Sequence, residues 1–321
     1  MAESYSQKRI LLVLVDVPNP AKSGKRSQAG STIDQWIDSL TELSLVASFR
    51  TKVLTTPTAQ EDQPRIWQLL AKLIADNYAS NDGFVIVQNQ TFIEHTSAAL
   101  CLMLERLGKP VVLVSHASLS ARRGRPTQGT LSPELALRSA LVNGLQLATL
   151  DIGNVVMLSG NVVYHAATYA SKGGASEPIG RIDFGMKLDT KKRLHKPQSL
   201  KPRSTIKPRI LSMMVQPGAP LAFSQLKDLD GILLYGTGAF RPEQLHLLAA
   251  SFREANVPVG FYRFQDSGRA PGTLLVHHVT PVMGLVKFMW ALGQAKTLKA
   301  MQKLLDTEIA SEFLSGTGDD A

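Results

Sequence analysis

The chain has 321 residues, 44% hydrophobic and 19% charged, which excludes a disordered polymer and leaves room for two ordinary domains. Its single cysteine, Cys101, excludes a disulfide framework and fits a reducing compartment, and the longest early apolar run, Ile10–Val15, is too short for a signal segment or a membrane span, so the chain reads as cytoplasmic with no membrane partner. Net charge is +9, yet eight cations fall between residues 191 and 209 with no acid among them, so the excess is local and a basic fold is excluded.

Strands are expected at Ile10–Val15, Lys52–Leu54, Phe84–Val87, Val111–Ser115 and Val155–Leu158. Between them, "PRIWQLLAKLIADNYA" sets Trp67, Leu70 and Ile74 on one helical face. "FIEHTSAALCLMLERLGKP" is an apolar helix stopped by Gly108 and Pro110. "SPELALRSALVNGLQLA" begins with Ser132 as N-cap, Pro133 in the first helical position and Glu134 in the first turn. Gln88–Phe92 reads as a polar loop after the third strand, at the carboxyl end where an open α/β sheet carries its chemistry.

The segment 191–209, "KKRLHKPQSLKPRSTIKPR", combines three prolines with like charge and reads as an extended linker, placed at 191–208. It divides an N-terminal domain, 1–190, from a C-terminal one, 209–321. In the latter, strands are expected at Ile210–Val215, Gly231–Tyr235 and Val257–Phe261, and helices at Leu221–Leu229, Pro242–Ala255 and across Pro281–Ile309. Continuous apolar strands alternating with helices give two α/β layers built on parallel sheets, the first larger.

Four phrases in order resemble the bacterial-type L-asparaginase family: "AQEDQPRIWQLLAKLI", "DGFVIV" continuing through "IEHTSAALCLMLERLGKPVVLV", "GILLYGTGAFRPEQLHLLAASFREANVPVGFY" and "VTPVMGLVKFMWALG". The resemblance implies an asparaginase-like fold with a larger N-terminal and a smaller C-terminal α/β domain. It also implies dimers or tetramers in which the partner's small domain completes each site. In that family a threonine hydroxyl attacks a side-chain amide, and a second threonine, an aspartate and a lysine move the proton, since a hydroxyl is a poor nucleophile without a base.

Carried over by position, this machinery is missing. The family's first-strand loop falls on "DVPNP" beginning at Asp16; the nearest similar string, "AGSTID" from Ala29, is displaced and begins with alanine. The Ser-Gln pair falls on Ala59 and Gln60. The relay threonine becomes Gln90, the substrate-holding aspartate becomes Thr91, and the lysine falls on Tyr169 or Ala170, with Lys172 two or three residues late. The expectation is a pseudoenzyme with no confident catalytic residue, whose Gln60, Gln88, Asn89, Gln90 and Thr91 hold a neutral polar ligand. The competing reading is a working amidohydrolase using Thr91 or Ser31 as nucleophile and Lys172 as base.

No cofactor or metal is expected. Gly236-Thr237-Gly238 lacks the third glycine of a dinucleotide fingerprint and the lysine of a P-loop. His277 and His278, taken as the end of a strand, would point to opposite faces and make a poor metal pair. The expected partners are further copies of the chain or a paralogous asparaginase. The linker cations Lys191, Lys192, Arg193, Lys196, Lys201, Arg203, Lys207 and Arg209 offer a site for RNA or an acidic protein, although no aromatic residue stands among them to stack bases.

Overall fold

A computed structural model describes residues 7–17, 32–55, 63–116, 132–170, 178–183, 185–189, 199–215, 228–236, 256–262 and 272–314, with 247, 250 and 252. The chain separates into two compact units, Met1–Pro202 and Arg203–Ala321.

The first unit begins with β1 (Arg9–Val15), two short helices α1 (Ile33–Asp38) and α2 (Thr41–Val46), and β2 (Ser48–Leu54). There follow α3 (Gln63–Asp76), β3 (Gly83–Asn89), α4 (Gln90–Met103), the two-residue β4 (Leu104–Glu105) and β5 (Val111–His116). It continues through α5 (Pro133–Ala148), β6 (Val155–Ser159), β7 (Val162–His165), β8 (Pro178–Ile182), β9 (Met186–Leu188) and β10 (Lys201–Pro202). The large sheet has the order β2-β1-β3-β5-β6-β7-β8-β9. β2, β1, β3, β5 and β6 are parallel to one another, and β7, β8 and β9 extend the sheet antiparallel. β10 pairs with β4, so residues 201 and 202 within the interval 191–208 are strand and not free chain.

Both faces of the parallel part are buried, which explains the unbroken apolar runs. On one face Leu12, Val85, Val112 and Val156, aligned by register, share a core with Trp36 and Ile37 of α1, Leu43 of α2 and Leu137, Leu141 and Leu145 of α5. α3 and α4 pack together on the other face, where alternation puts Leu11, Phe84, Ile86 and Leu113. The crossovers through α4 and α5 step the same way along the sheet yet run over opposite faces, so their hands differ. The crossover through α3 shares both step and face with that of α4, and the one through α1 and α2 reverses both, so these three have one hand. The α5 crossover is the odd one, a left-handed connection of the kind found in roughly 2% of such units. Gly83 belongs to this packing: a Cβ there would stand 2.3 Å from the carbonyl oxygen of Ala148 at the end of α5.

Helix ends follow the sequence signals. Ser132 accepts from the Leu135 amide with Pro133 behind it, and Thr32 and Gln35 form a capping box at α1.

The second unit is a four-stranded parallel sheet in the order β11 (Ile210–Val215), β12 (Gly231–Gly236), β13 (Val259–Tyr262), β14 (Leu274–Val276). Val215, Ile232, Leu234, Val259 and Phe261 form one core with Phe252. The opposite face is covered by the helix Pro281–Gln294: a Cβ at Gly260 would meet Phe288 at 2.6 Å, and one at Gly231 would meet Leu292 at 2.8 Å. Thr280 caps this helix, with Pro281 next to it, and Leu298–Leu305 follows as the last helix. Lys287, in an otherwise apolar stripe, is 1% exposed and pairs at 2.6 Å with the fully buried Glu312. The helices expected at 221–229 and 242–255 lie almost wholly outside the described residues.

Candidate functional site

The carboxyl ends of β1 and β3, adjacent strands in register, meet where an open parallel sheet binds ligands. The expected loop Gln88–Phe92 is not a loop. Gln88 and Asn89 complete β3, and Gln90, Thr91 and Phe92 form the first turn of α4. The apolar run stops at Val87, but the strand continues because Gln88 is accommodated in the interior: it is 2% exposed, with Nε2 3.4 Å from Oε1 of Gln63 on α3. Asn89 ends the strand as the N-cap, its side-chain oxygen accepting from the Thr91 amide at 3.0 Å. Gln90 and Thr91 are exposed on the first turn, and no acid lies there. A helix N-terminus with no acid in its first turn favours anionic or dipolar ligand groups.

Asp16 follows β1 with φ +49°, a left-handed backbone for a residue with a side chain, and its amide donates to the Leu54 carbonyl at 3.1 Å. Such conformations cost on the order of 1–3 kcal/mol and concentrate at functional positions. Tyr169 is 8% exposed and packs its ring on Tyr164 with centroids 5.3 Å apart. Ala59, Gln60, Ser31 and Lys172 lie outside the described residues.

A polar seam between α3 and α4 was not foreseen. Trp67 and His95 stack with centroids 6.4 Å apart at 9°. The buried Trp67 Nε1, His95 Nδ1, Gln88 Oε1 and Thr96 Oγ1 have no hydrogen-bond partner among the described residues. Burial holds the His95 imidazole below its ordinary pKa, with Glu94 pulling the other way. The sequence signal was the i, i+4 pair Gln63 and Trp67 on a face otherwise apolar.

The basic run is less free than expected. Arg203 lies over the Trp290 ring at 4.6 Å and donates to Gln294 at 3.2 Å. Arg209 and Lys207 approach Asp230 at 3.4 and 3.7 Å. Burial opposes ionisation of Asp230, but the Arg209 hydrogen bonds and both cations outweigh it and hold the carboxyl below its usual range. Lys201 is exposed in β10, and Lys191, Lys192, Arg193 and Lys196 lie outside the described residues.

The two histidines also differ from expectation. β14 ends at Val276, and His278 turns to φ +58°, so the rings touch edge to face with centroids 4.3 Å apart. His277 Nε2 is 3.3 Å from Asp306. Among the described residues no three His, Cys, Asp or Glu side chains form a metal-holding group, and no helix is long and apolar enough to cross a membrane.

Residues 19–173 match the family model for the asparaginase N-terminal domain. This chain is a divergent member of the asparaginase family. It is 24% identical over 322 residues to a glutamyl-tRNA(Gln) amidotransferase subunit of Pyrococcus abyssi, covering 88% of this chain and 70% of that protein. It is likewise 24% identical over 274 residues to an L-asparaginase of Thermococcus kodakarensis, covering 78% of this chain and 82% of that protein. The crystal structure of L-asparaginase I from Vibrio cholerae superposes with a TM-score of 0.70 at 19% identity, over 96% of this chain and 100% of that enzyme. The asparaginase fold is thus kept at low sequence identity.

Proposed function

We propose that this asparaginase-family chain binds a small polar ligand at the carboxyl ends of β1 and β3 without hydrolysing it, and acts as a binding, regulatory or structural subunit. The observation that carries the reading is the start of α4. Where the resemblance calls for a proton-relay threonine and a substrate-holding aspartate stand Gln90 and Thr91, and the preceding Asn89 is engaged as a helix cap. Amides and one hydroxyl donate and accept hydrogen bonds but do not take a proton at neutral pH. Tyr169, near the expected lysine, is occupied by packing. The exposed side chains of Gln90 and Thr91 on a first turn without an acid suit a ligand with an amide or carboxylate end.

A second reading is favoured by Asp16. A carboxylate on a strained turn at the end of β1 is a candidate base for an amidohydrolase with a rearranged site. Membership of a larger assembly is supported by the relative named as an amidotransferase subunit, and a paralogous asparaginase or further copies of the chain fit the same role. RNA binding through the linker is supported less, because three of its described cations are committed to Trp290 and Asp230.

The test is calorimetric titration with L-asparagine, L-glutamine and simple primary amides, followed by recovery of the ligand. Saturable binding, weakened by Thr91→Ala and Gln88→Leu, with the ligand recovered unchanged, is expected. No binding of any amide, or recovery of the corresponding acid, would overturn the proposal.

A further inference from the structure

We propose that the seam enclosed by the end of β3, α3 and α4 is a binding site for one buried water molecule, held by Trp67, Gln88, His95 and Thr96. Five buried side-chain polar atoms among the described residues have no hydrogen-bond partner, and four of the five are Trp67 Nε1, Gln88 Oε1, His95 Nδ1 and Thr96 Oγ1. Protein interiors leave few such atoms unpaired, so four in one place call for a shared partner.

The four come from three elements that meet. Gln88 lies on the sheet face that carries Phe84 and Ile86, the face covered by α3 and α4. Its side chain reaches Gln63 on α3 at 3.4 Å, and Trp67 stands one turn further along that face of the helix. The Trp67 ring stacks on His95 of α4, and the neighbouring Thr96 is fully buried.

Their chemistry selects the ligand. An indole N–H only donates, a carbonyl oxygen only accepts, and a hydroxyl does both. Burial holds the His95 imidazole below its ordinary pKa, against the pull of Glu94, so the ring is neutral at neutral pH and Nδ1 can accept. Water answers all four groups: it accepts from Trp67 and Thr96 and donates to Gln88 and His95, within the two to four hydrogen bonds that a buried water makes. An anion would meet the Gln88 carbonyl oxygen and the His95 lone pair. A cation would meet the indole N–H, and among the described residues His95 belongs to no group of three metal-ligating side chains. Trp67, Gln88 and Thr96, at 3%, 2% and 0% exposed, present no open face to a larger molecule. The water ties α3 to the strand end from which α4 departs, and so reinforces the long Gln63–Gln88 bond. It lies inside the fold, whereas the ligand proposed above meets exposed residues, so either can stand without the other.

The test is magnetisation transfer from water to the indole N–H groups of the isotope-labelled chain, with the Trp67 signal assigned by its absence from Trp67→Phe. Cross-peaks of opposite sign in the laboratory and rotating frames mark a water held longer than the molecule takes to tumble, and like signs mark proton exchange. Opposite signs are expected at Trp67, together with ring nitrogen shifts of His95 that show the proton on Nε2. Thr96→Val removes a hydroxyl that could relay the transfer, and should leave the Trp67 peak in place. No peak of this kind at Trp67, a peak lost in Thr96→Val, or a His95 proton on Nδ1 would overturn the proposal.

Discussion

Replacing Glu312 by Gln removes one charge from the most buried ion pair in the described structure while almost preserving its volume. Lys287 and Glu312 are 1% and 0% exposed, and their charged atoms lie 2.6 Å apart. The Glu312 carboxylate also accepts from the amides of Ile309 at 3.0 Å and Ala310 at 2.7 Å, which ties down the segment after the last helix. In the variant the ammonium loses the carboxylate charge beside it and keeps neutral acceptors, the Thr307 carbonyl at 2.8 Å and the Phe313 ring at 4.5 Å, with the charges of Asp306 and Glu308 acting on it as well. Breaking one side of such a pair costs about 3–5 kcal/mol, because an uncompensated charge stays buried.

The pH dependence has a definite sign. Burial depresses the Lys287 pKa below its ordinary 10.5, and the charges of Glu312, Asp306 and Glu308 oppose that shift. Without Glu312 the folded-state value falls further. Between that value and 10.5 the unfolded chain binds more protons than the folded one, so stability rises with pH through this window. The deficit of the variant should therefore narrow from neutral pH toward about 10. Urea unfolding, read by hydrogen exchange in peptides spanning 281–314, measures it. The double change Lys287→Met with Glu312→Leu should recover only part of the loss, because it removes the buried charge but leaves the Ile309 and Ala310 amides without their acceptor. A loss for Glu312→Gln below about 1 kcal/mol, or a deficit that widens with pH, would show that Lys287 does not depend on the Glu312 charge.

Other outcomes follow from the same contacts. Asn89→Ala should cost about 1 kcal/mol and Asn89→Ser only a fraction of it, read as fraying of the first turn of α4 by hydrogen exchange; a large loss of ligand affinity in Asn89→Ser would show that Asn89 is a ligand contact and not chiefly a cap. Gly83→Ala places a methyl 2.3 Å from the Ala148 carbonyl, and should lower stability by about 1–3 kcal/mol in thermal unfolding. Arg203→Ala removes the guanidinium from the Trp290 ring and should cost about 1 kcal/mol with little dependence on salt, unlike the loss of an exposed ion pair.

The layers of the fold were legible because parallel strands buried on both faces leave unbroken apolar runs, as at β1, β3, β5 and β6. Caps at Ser132 and the stop at Gly108-Pro110 were equally plain. β2 begins at Ser48, earlier than read, because an edge strand alternates and its outward Ser48 and Arg50 break the run. β7, β8 and β9 were missed, since short antiparallel strands with glycine, arginine and histidine in them carry no clear period. At the site, polarity misled: Gln88 and Asn89 look like loop residues, yet one is buried in the strand and the other caps a helix. The commitment of Arg203, Lys207 and Arg209 was invisible because Trp290 and Asp230 are distant in sequence.

Ammonia release is the decisive measurement of whether this asparaginase-family chain has, as proposed, lost amide hydrolysis. The purified chain is incubated with L-asparagine, L-glutamine and simple primary amides across pH 5–9, beside Thr91→Ala, Ser31→Ala and Asp16→Asn variants. No ammonia above the uncatalysed rate is expected, and no difference among the four proteins. Saturable turnover by the native chain that disappears in any one of the three variants would contradict it.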